Sequence, residues 1–290
     1  MSNAKRHHFL PRKYQVGFAE PNGPVWYFDR RRGVIASGNP LNVAVERHFY
    51  TSETPGSSNP TAMETFLAEH VEGPFWPVLE RLERQETPTA GDRSRISIFA
   101  GFLLTRVPAF RDFCADVLND TLISHSNLRS VILSLDGLFA KTDSGFFVPK
   151  APKNNALHQM GKLGIEVAQH LDTLDTHLMY STASEPFITT DNPFVLDRIL
   201  NDGQAPTVSA TSFLKWIPLS AKVAVGFGLP GNTIYFTNVE PTNARKANLR
   251  LATAARQMIL ARSREQLQQI LADMPKETPM GAADFPSVVF

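Results

Sequence analysis

Two adjacent histidines, His7 and His8, stand just ahead of a basic and aromatic run, Arg12-Lys13-Tyr14. Imidazole titrates near neutrality, so either ring can serve as acid, base or metal ligand. Pro11 suits the first turn of a helix, where its missing N–H costs nothing, and predicts a short helix to about Phe18. His8 then lies beside a helix start, whose free N–H groups attract anions. A histidine in that place can equally cap the helix or satisfy a core hydrogen bond. A second polar group comes much later, at Phe187-Ile188-Thr189-Thr190-Asp191-Asn192-Pro193. Here a short apolar strand ends in two hydroxyls, a carboxylate and an amide. Rigid scaffolds present binding residues at such ends, although Asx residues before proline also make ordinary turns. The expected catalytic set is His8 and Asp191, with His7 beside them.

Around that set, Arg12, Tyr14, Thr190, Asn192, Arg47 and Glu72 are the expected substrate-binding residues. Arg47 lies in Glu46-Arg47-His48, where a charged strand end serves as well as a binding role. Glu72 is a carboxylate with no local structural duty. Glu64 differs, because Thr61-Ala62-Met63-Glu64 has the spacing of a capping box and predicts a structural role. Glu166 and His170, at i and i+4, with His158 on the same wheel, are too few and too loosely spaced for a metal centre. The cofactor stays open, a divalent metal at His8 being the candidate. Cys114 sits in an apolar helical run and reads as inert. No P-loop, dinucleotide fingerprint, His-Glu-x-x-His or Gly-x-Ser-x-Gly is present, which disfavours those chemistries.

The net charge of +1 argues against a general nucleic-acid binder, yet the first 34 residues hold Lys5, Arg6, Arg12, Lys13, Arg30, Arg31 and Arg32 against only Glu20 and Asp29. A local basic arm on a neutral body suits an anionic small molecule or nucleic acid as partner. No stretch reaches the roughly 18 apolar residues of a membrane span, no leader pattern opens the chain, and one cysteine forms no internal disulfide. These features predict a cytoplasmic protein with no membrane partner.

The positioning elements follow from pattern. Val25-Trp26-Tyr27-Phe28, a turn at Arg30 to Gly33, and Val34-Ile35 predict a hairpin. Thr54 to Pro60 reads as a loop. A helix is expected from Thr61 to about Gln85, a second capped by Asp92, a third starting or kinking at Pro108 through Phe113 and Val117, and a fourth over Asn155 to about Leu174. After residue 177 come short strand candidates at 186–190, 213–217, 223–227 and 233–236. Pro241 opens a helix to about Ala261, and Ser263 caps a last one. The fold class is α+β, with hairpin and late strands in one antiparallel sheet and a helical layer, about 61–175, between them in sequence. One domain is expected over 1–275, with an extended tail at 276–290.

The opening His7-His8-Phe9-Leu10-Pro11-Arg12-Lys13-Tyr14, with Trp26-Tyr27-Phe28-Asp29, Asn42-Val43-Ala44, Phe49-Tyr50, the Thr190-Asp191-Asn192-Pro193 element and Pro218-Leu219-Ser220, resembles the bacterial family called domain of unknown function 4238. Thr190 stands where that family is associated with serine, which keeps the hydroxyl. The resemblance spans most of the chain and implies no activity, cofactor or catalytic residue. From the residues themselves, the leading expectation is a hydrolase-like enzyme acting on a phosphate-bearing substrate, nucleic acid included. His8 would be acid/base or metal ligand, Asp191 its carboxylate partner, and the N-terminal Arg and Lys residues the anion clamp. The rival is a non-catalytic binding or regulatory protein.

Overall fold

From Leu174 to Tyr180 buried and half-buried side chains alternate, the period of two that a strand imposes. In the computed structural model of the chain, which describes residues 6–52, 61–112, 114, 139–141, 147–149, 152–198 and 213–275, this segment lies inside a sheet. The order of elements is β1 (Arg6–His8), α1 (Arg12–Val16), β2 (Val25–Asp29), β3 (Val34–Gly38) and β4 (Val45–Arg47). A helical stretch follows: α2 (Ala62–Phe66), a π-helical turn (Leu67–Glu72), α3 (Gly73–Glu83) and α4 (Ala90–Thr105). The ribbon β5 (Phe139–Lys141) and β6 (Phe147–Pro149) precedes α5 (Pro152–Asp172). Then come β7 (Leu174–Tyr180), β8 (Thr189–Thr190), β9 (Val195–Arg198), β10 (Phe213–Pro218), β11 (Val223–Pro230) and β12 (Ile234–Asn238). The last elements are α6 (Pro241–Ala254), β13 (Met258–Ala261) and α7 (Arg264–Asp273).

The class is α+β, as the sequence predicts. The single sheet is not. Five late strands pair in the order β12-β7-β11-β10-β9, whereas the hairpin belongs to a separate four-stranded sheet, β3-β2-β13-β8. All neighbours are antiparallel except β12 and β7. Strand β2 therefore does meet late strands, but through β13, a segment that the sequence pattern assigns to a helix. Ala255-Arg256-Gln257-Met258 contains no glycine or proline to stop that helix, so its local pattern carries no end signal. The stop is tertiary. Asp191 accepts the N–H groups of Arg256, Gln257 and Met258, and the chain turns extended at Ala255 into β13.

Three further corrections concern helix starts. Asp92 is not the cap of α4 but its third residue, in a reciprocal capping box with Thr89. Thr61, by contrast, makes no side-chain cap bond. Pro11 is the N-cap of α1 rather than a residue of its first turn. Ser263 does cap α7, accepting from Gln266 N–H. The loop at 54–60, Phe113 and Val117, and the tail at 276–290 lie outside the described residues.

One core joins the layers, with Tyr14, Phe18, Phe75, Phe99, Phe187 and Phe227 among its largest fully buried side chains. Helices α4 and α5 approach closely at two glycines. A Cβ on Gly101 would come within 2.6 Å of Gly164 O and 2.8 Å of Ala168 N, both backbone atoms that cannot rotate aside. Gly101→Ala is therefore expected to destabilise by about 1–3 kcal/mol, read as a lower denaturant midpoint with unchanged slope. An unchanged midpoint would mean that the helices separate freely. Among the described residues no helix is long and apolar enough to cross a membrane.

Candidate functional site

The N-terminal segment ahead of α1 is a strand, an element the sequence reading does not assign. β1 pairs antiparallel with β4, opposing Arg6 to Arg47, His7 to Glu46 and His8 to Val45. Because strand side chains alternate, His7 goes inward while Arg6 and His8 share the other face. His7 is fully buried, its ring stacked on Tyr50 with centroids 5.6 Å apart. The Tyr50 backbone N–H donates to His7 Nδ1 at 2.8 Å, which makes Nδ1 the unprotonated nitrogen and leaves the proton on Nε2. His7 Nε2 in turn lies 3.2 Å from Glu64 Oε2. Glu64 is thus no capping-box residue. Its carboxylate, 35% exposed, is held from beneath by a buried imidazole.

A second carboxylate is anchored alongside. Arg106, at the end of α4 and 4% exposed, donates through Nη1 to Glu72 Oε1 at 2.7 Å, through Nε to the Tyr50 hydroxyl at 3.1 Å and through Nη2 to His8 O at 3.0 Å. The Tyr50 hydroxyl donates to His8 O at 3.2 Å. Burial alone would pull the Arg106 guanidinium down; the neighbouring Tyr50 and Glu72 outweigh it and hold the group above its ordinary value. Burial pushes the Tyr50 hydroxyl up to about 12, against the pull of Arg106, so it stays a neutral donor. Arg106 is the only charged residue in the run from Phe99 to Phe110, a buried charge that its surroundings must satisfy.

The two carboxylates reach one network because the helix between them changes pitch. Pro74 has no N–H to offer the carbonyl of His70, and Gly73 N–H instead reaches back five residues to Ala68 O. The resulting π turn spans Leu67–Glu72, joining Glu64 on α2 to Glu72 at its end. Such turns occur frequently at functional sites. On the flank, Glu46 pairs with Arg111, which lies over Phe49 and contacts Asp112.

The family model described as Protein of unknown function (DUF4238) matches residues 6–265. The chain belongs to this family. No curated protein and no solved structure matches it. The DUF4238 span opens at β1 and runs into α7, so it contains the whole His7–Glu64–Glu72–Arg106 network.

Within this DUF4238 chain, the residues predicted from sequence fall into two groups. His7, His8, Arg47 and Glu72 gather around the β1–β4 ribbon. His8 Nε2 donates to Pro40 O at 3.0 Å; burial lowers its pKa, and the charges of Arg106 and Arg6 lower it further, against the Pro40 bond. Tyr14, Thr190, Asp191 and Asn192 form the other group, all buried around β8. Tyr14 holds Thr189 Oγ1 and donates to Pro218 O, both at 2.7 Å. Thr190 Oγ1 accepts from Asn192 N–H, and Asn192 Nδ2 donates to Ala254 O. Burial pushes the Asp191 carboxyl up, against the pull of its three N–H donors. None of the bonds described for Asp191 is to His7 or His8. Arg12 lies exposed on α1. Among the described residues no cluster of three His, Cys, Asp or Glu side chains could hold a metal ion. Cys114 is buried, which pushes its thiol up to about 12.

Three members of the network escape sequence reasoning: Tyr50, Arg106 and Glu64 in its real role. Arg106 had a readable signal, a lone charge in an apolar helical run. Glu64 had a misleading one, since Thr61-x-x-Glu64 satisfies the capping pattern without forming it.

Proposed function

We propose that this chain is a hydrolase-like enzyme acting on a phosphate-bearing substrate, with Glu64 as its general base and His7 as the residue that orients it. One observation carries the reading. Glu64 keeps about a third of its surface open while its Oε2 lies 3.2 Å from Nε2 of the fully buried His7, whose ring is set in one tautomer by Tyr50 N–H. That is the base-and-orienter arrangement by which side chains activate a nucleophile. The free carboxylate oxygen would take a proton as a water oxygen attacks phosphorus. The bond to the leaving oxygen then breaks, and that oxygen takes its proton from solvent. Glu72, 20% exposed and held by Arg106, stands as the second carboxylate of the site. Nucleic acid is the less favoured substrate, since the chain carries a net charge of only +1.

A second reading rests on the complete burial of His7. Here the network only clamps β1 against the π turn, and the protein binds a ligand or partner without chemistry. Glu64→Gln separates the two, because glutamine can still accept the Nε2–H but cannot take a proton. Assayed on phosphomonoesters and phosphodiesters, the variant is expected to lose activity by about 10²–10⁴-fold with its melting temperature nearly unchanged. An active wild type whose Gln variant keeps its rate, or a wild type inert on every phosphoester, rejects the enzyme reading.

A further inference from the structure

We infer that Arg6 and Arg47 form a binding site for a phosphate dianion of the monoester type. The inference rests on the preceding reading of the substrate as phosphate-bearing, and it places this site on the ribbon face opposite His7. The two arginines are direct cross-strand partners, so their side chains leave the ribbon on the same face, the one shared with His8. Like charges placed directly opposite in an antiparallel pair repel and destabilise it. Among the described residues no acidic group offsets the repulsion. Glu46, the acid next to Arg47 in sequence, lies on the other face and is taken by Arg111. Arg6 donates to the neutral amide oxygen of Asn42, at 3.0 Å, and among the described residues no carboxylate pairs with either arginine. Both are exposed.

The backbone adds an independent sign that Arg47 is held in place. Strand β4 is bracketed by two left-handed, non-glycine residues, Ala44 with φ 51° and His48 with φ 55°. Alanine gains no side-chain hydrogen bond in that conformation, so the surroundings must impose it. They do so through Phe9 N–H on Ala44 O and Thr51 N–H on His48 O. Strain kept by such surroundings concentrates at ligand clamps and active sites. A ligand with two negative charges would turn the arginine repulsion into attraction, each guanidinium offering a fork of N–H donors to phosphate oxygens. A compact dianion fits two adjacent cations on a chain of net charge +1, whereas a polyanion calls for a longer basic stripe.

The test is thermal shift and calorimetric titration with inorganic phosphate, on wild type, Arg47→Ala, Arg6→Ala and Glu64→Gln. Phosphate should bind wild type and raise its melting temperature, less so as salt screens the charges. Each arginine variant should lose at least tenfold in affinity, and without phosphate should melt at or above the wild-type temperature because the repulsion is gone. Glu64→Gln should bind phosphate like wild type. Phosphate binding that ignores both arginine substitutions, no binding by wild type, or binding only of a single-stranded oligonucleotide would each overturn the inference. An arginine variant that melts well below wild type would do so as well, since Arg6 and Arg47 would then be supporting the fold. If phosphate binds through the arginines but no ester is cleaved, the enzyme reading falls while this site stands. If Glu64 governs cleavage but the arginines leave phosphate binding unchanged, only this site falls.

Discussion

Arg106→Ala is expected to cost about 3–5 kcal/mol of stability, the cost of stripping one partner from a buried ion pair. The substitution leaves Glu72 Oε1 without its guanidinium and removes a donor from both the Tyr50 hydroxyl and His8 O. The loss should appear as a lower urea midpoint with an unchanged slope. A companion pair sharpens the result. Arg106→Met combined with Glu72→Leu removes both charges and should recover much of the loss, because an apolar pair of similar volume has no stranded charge. A single-variant loss under about 1 kcal/mol would show that water already satisfies Glu72 and that the network is loosely held.

Asp191→Asn is expected to lower stability by about 2–3 kcal/mol, which for a chain of this size is several degrees in melting temperature. Both carboxylate oxygens accept backbone donors: Oδ1 from Arg256 and Met258, Oδ2 from Gln257. An asparagine can keep one oxygen in place, but its NH2 must then face an N–H, and two donors cannot bond. The end of α6 and the entry to β13 should loosen first, visible as faster amide exchange at residues 256–258. Had Asp191 been the catalytic partner of His8, the variant would lose activity and keep its melting temperature. A Tm equal to wild type in Asp191→Asn therefore returns Asp191 to the candidate site.

Arg106 and Asp191 mark the limit of what local signals encode. The hairpin at β2 and β3, the helical middle and the cap at Ser263 follow from signals contained within a turn or two of sequence. Asp191 had the same local look as a strand-end binding residue, polar and placed after an apolar run. What it bonds lies 65 to 67 residues away, and no periodicity within its own strand encodes that. The same blindness extended the predicted helix from Pro241 through β13, because Ala, Arg, Gln and Met all favour a helix until Asp191 takes their N–H groups.

By itself the sequence determined the α+β class, the clustering of basic residues near the N-terminus, and the histidine pair and the Thr-Asp-Asn-Pro element that resemble the family. Only the tertiary structure decided which histidine is buried, that Glu64 answers His7 rather than Thr61, and that Arg106 ties Glu72 to the strand. Helix caps and strand alternation are short-range, so residues a few positions apart specify them. The His7–Tyr50 bond spans 43 residues and the Arg106–Glu72 bond spans 34. Contacts of that span exist only after β1 has paired with β4 and the π turn has brought both glutamates to the network.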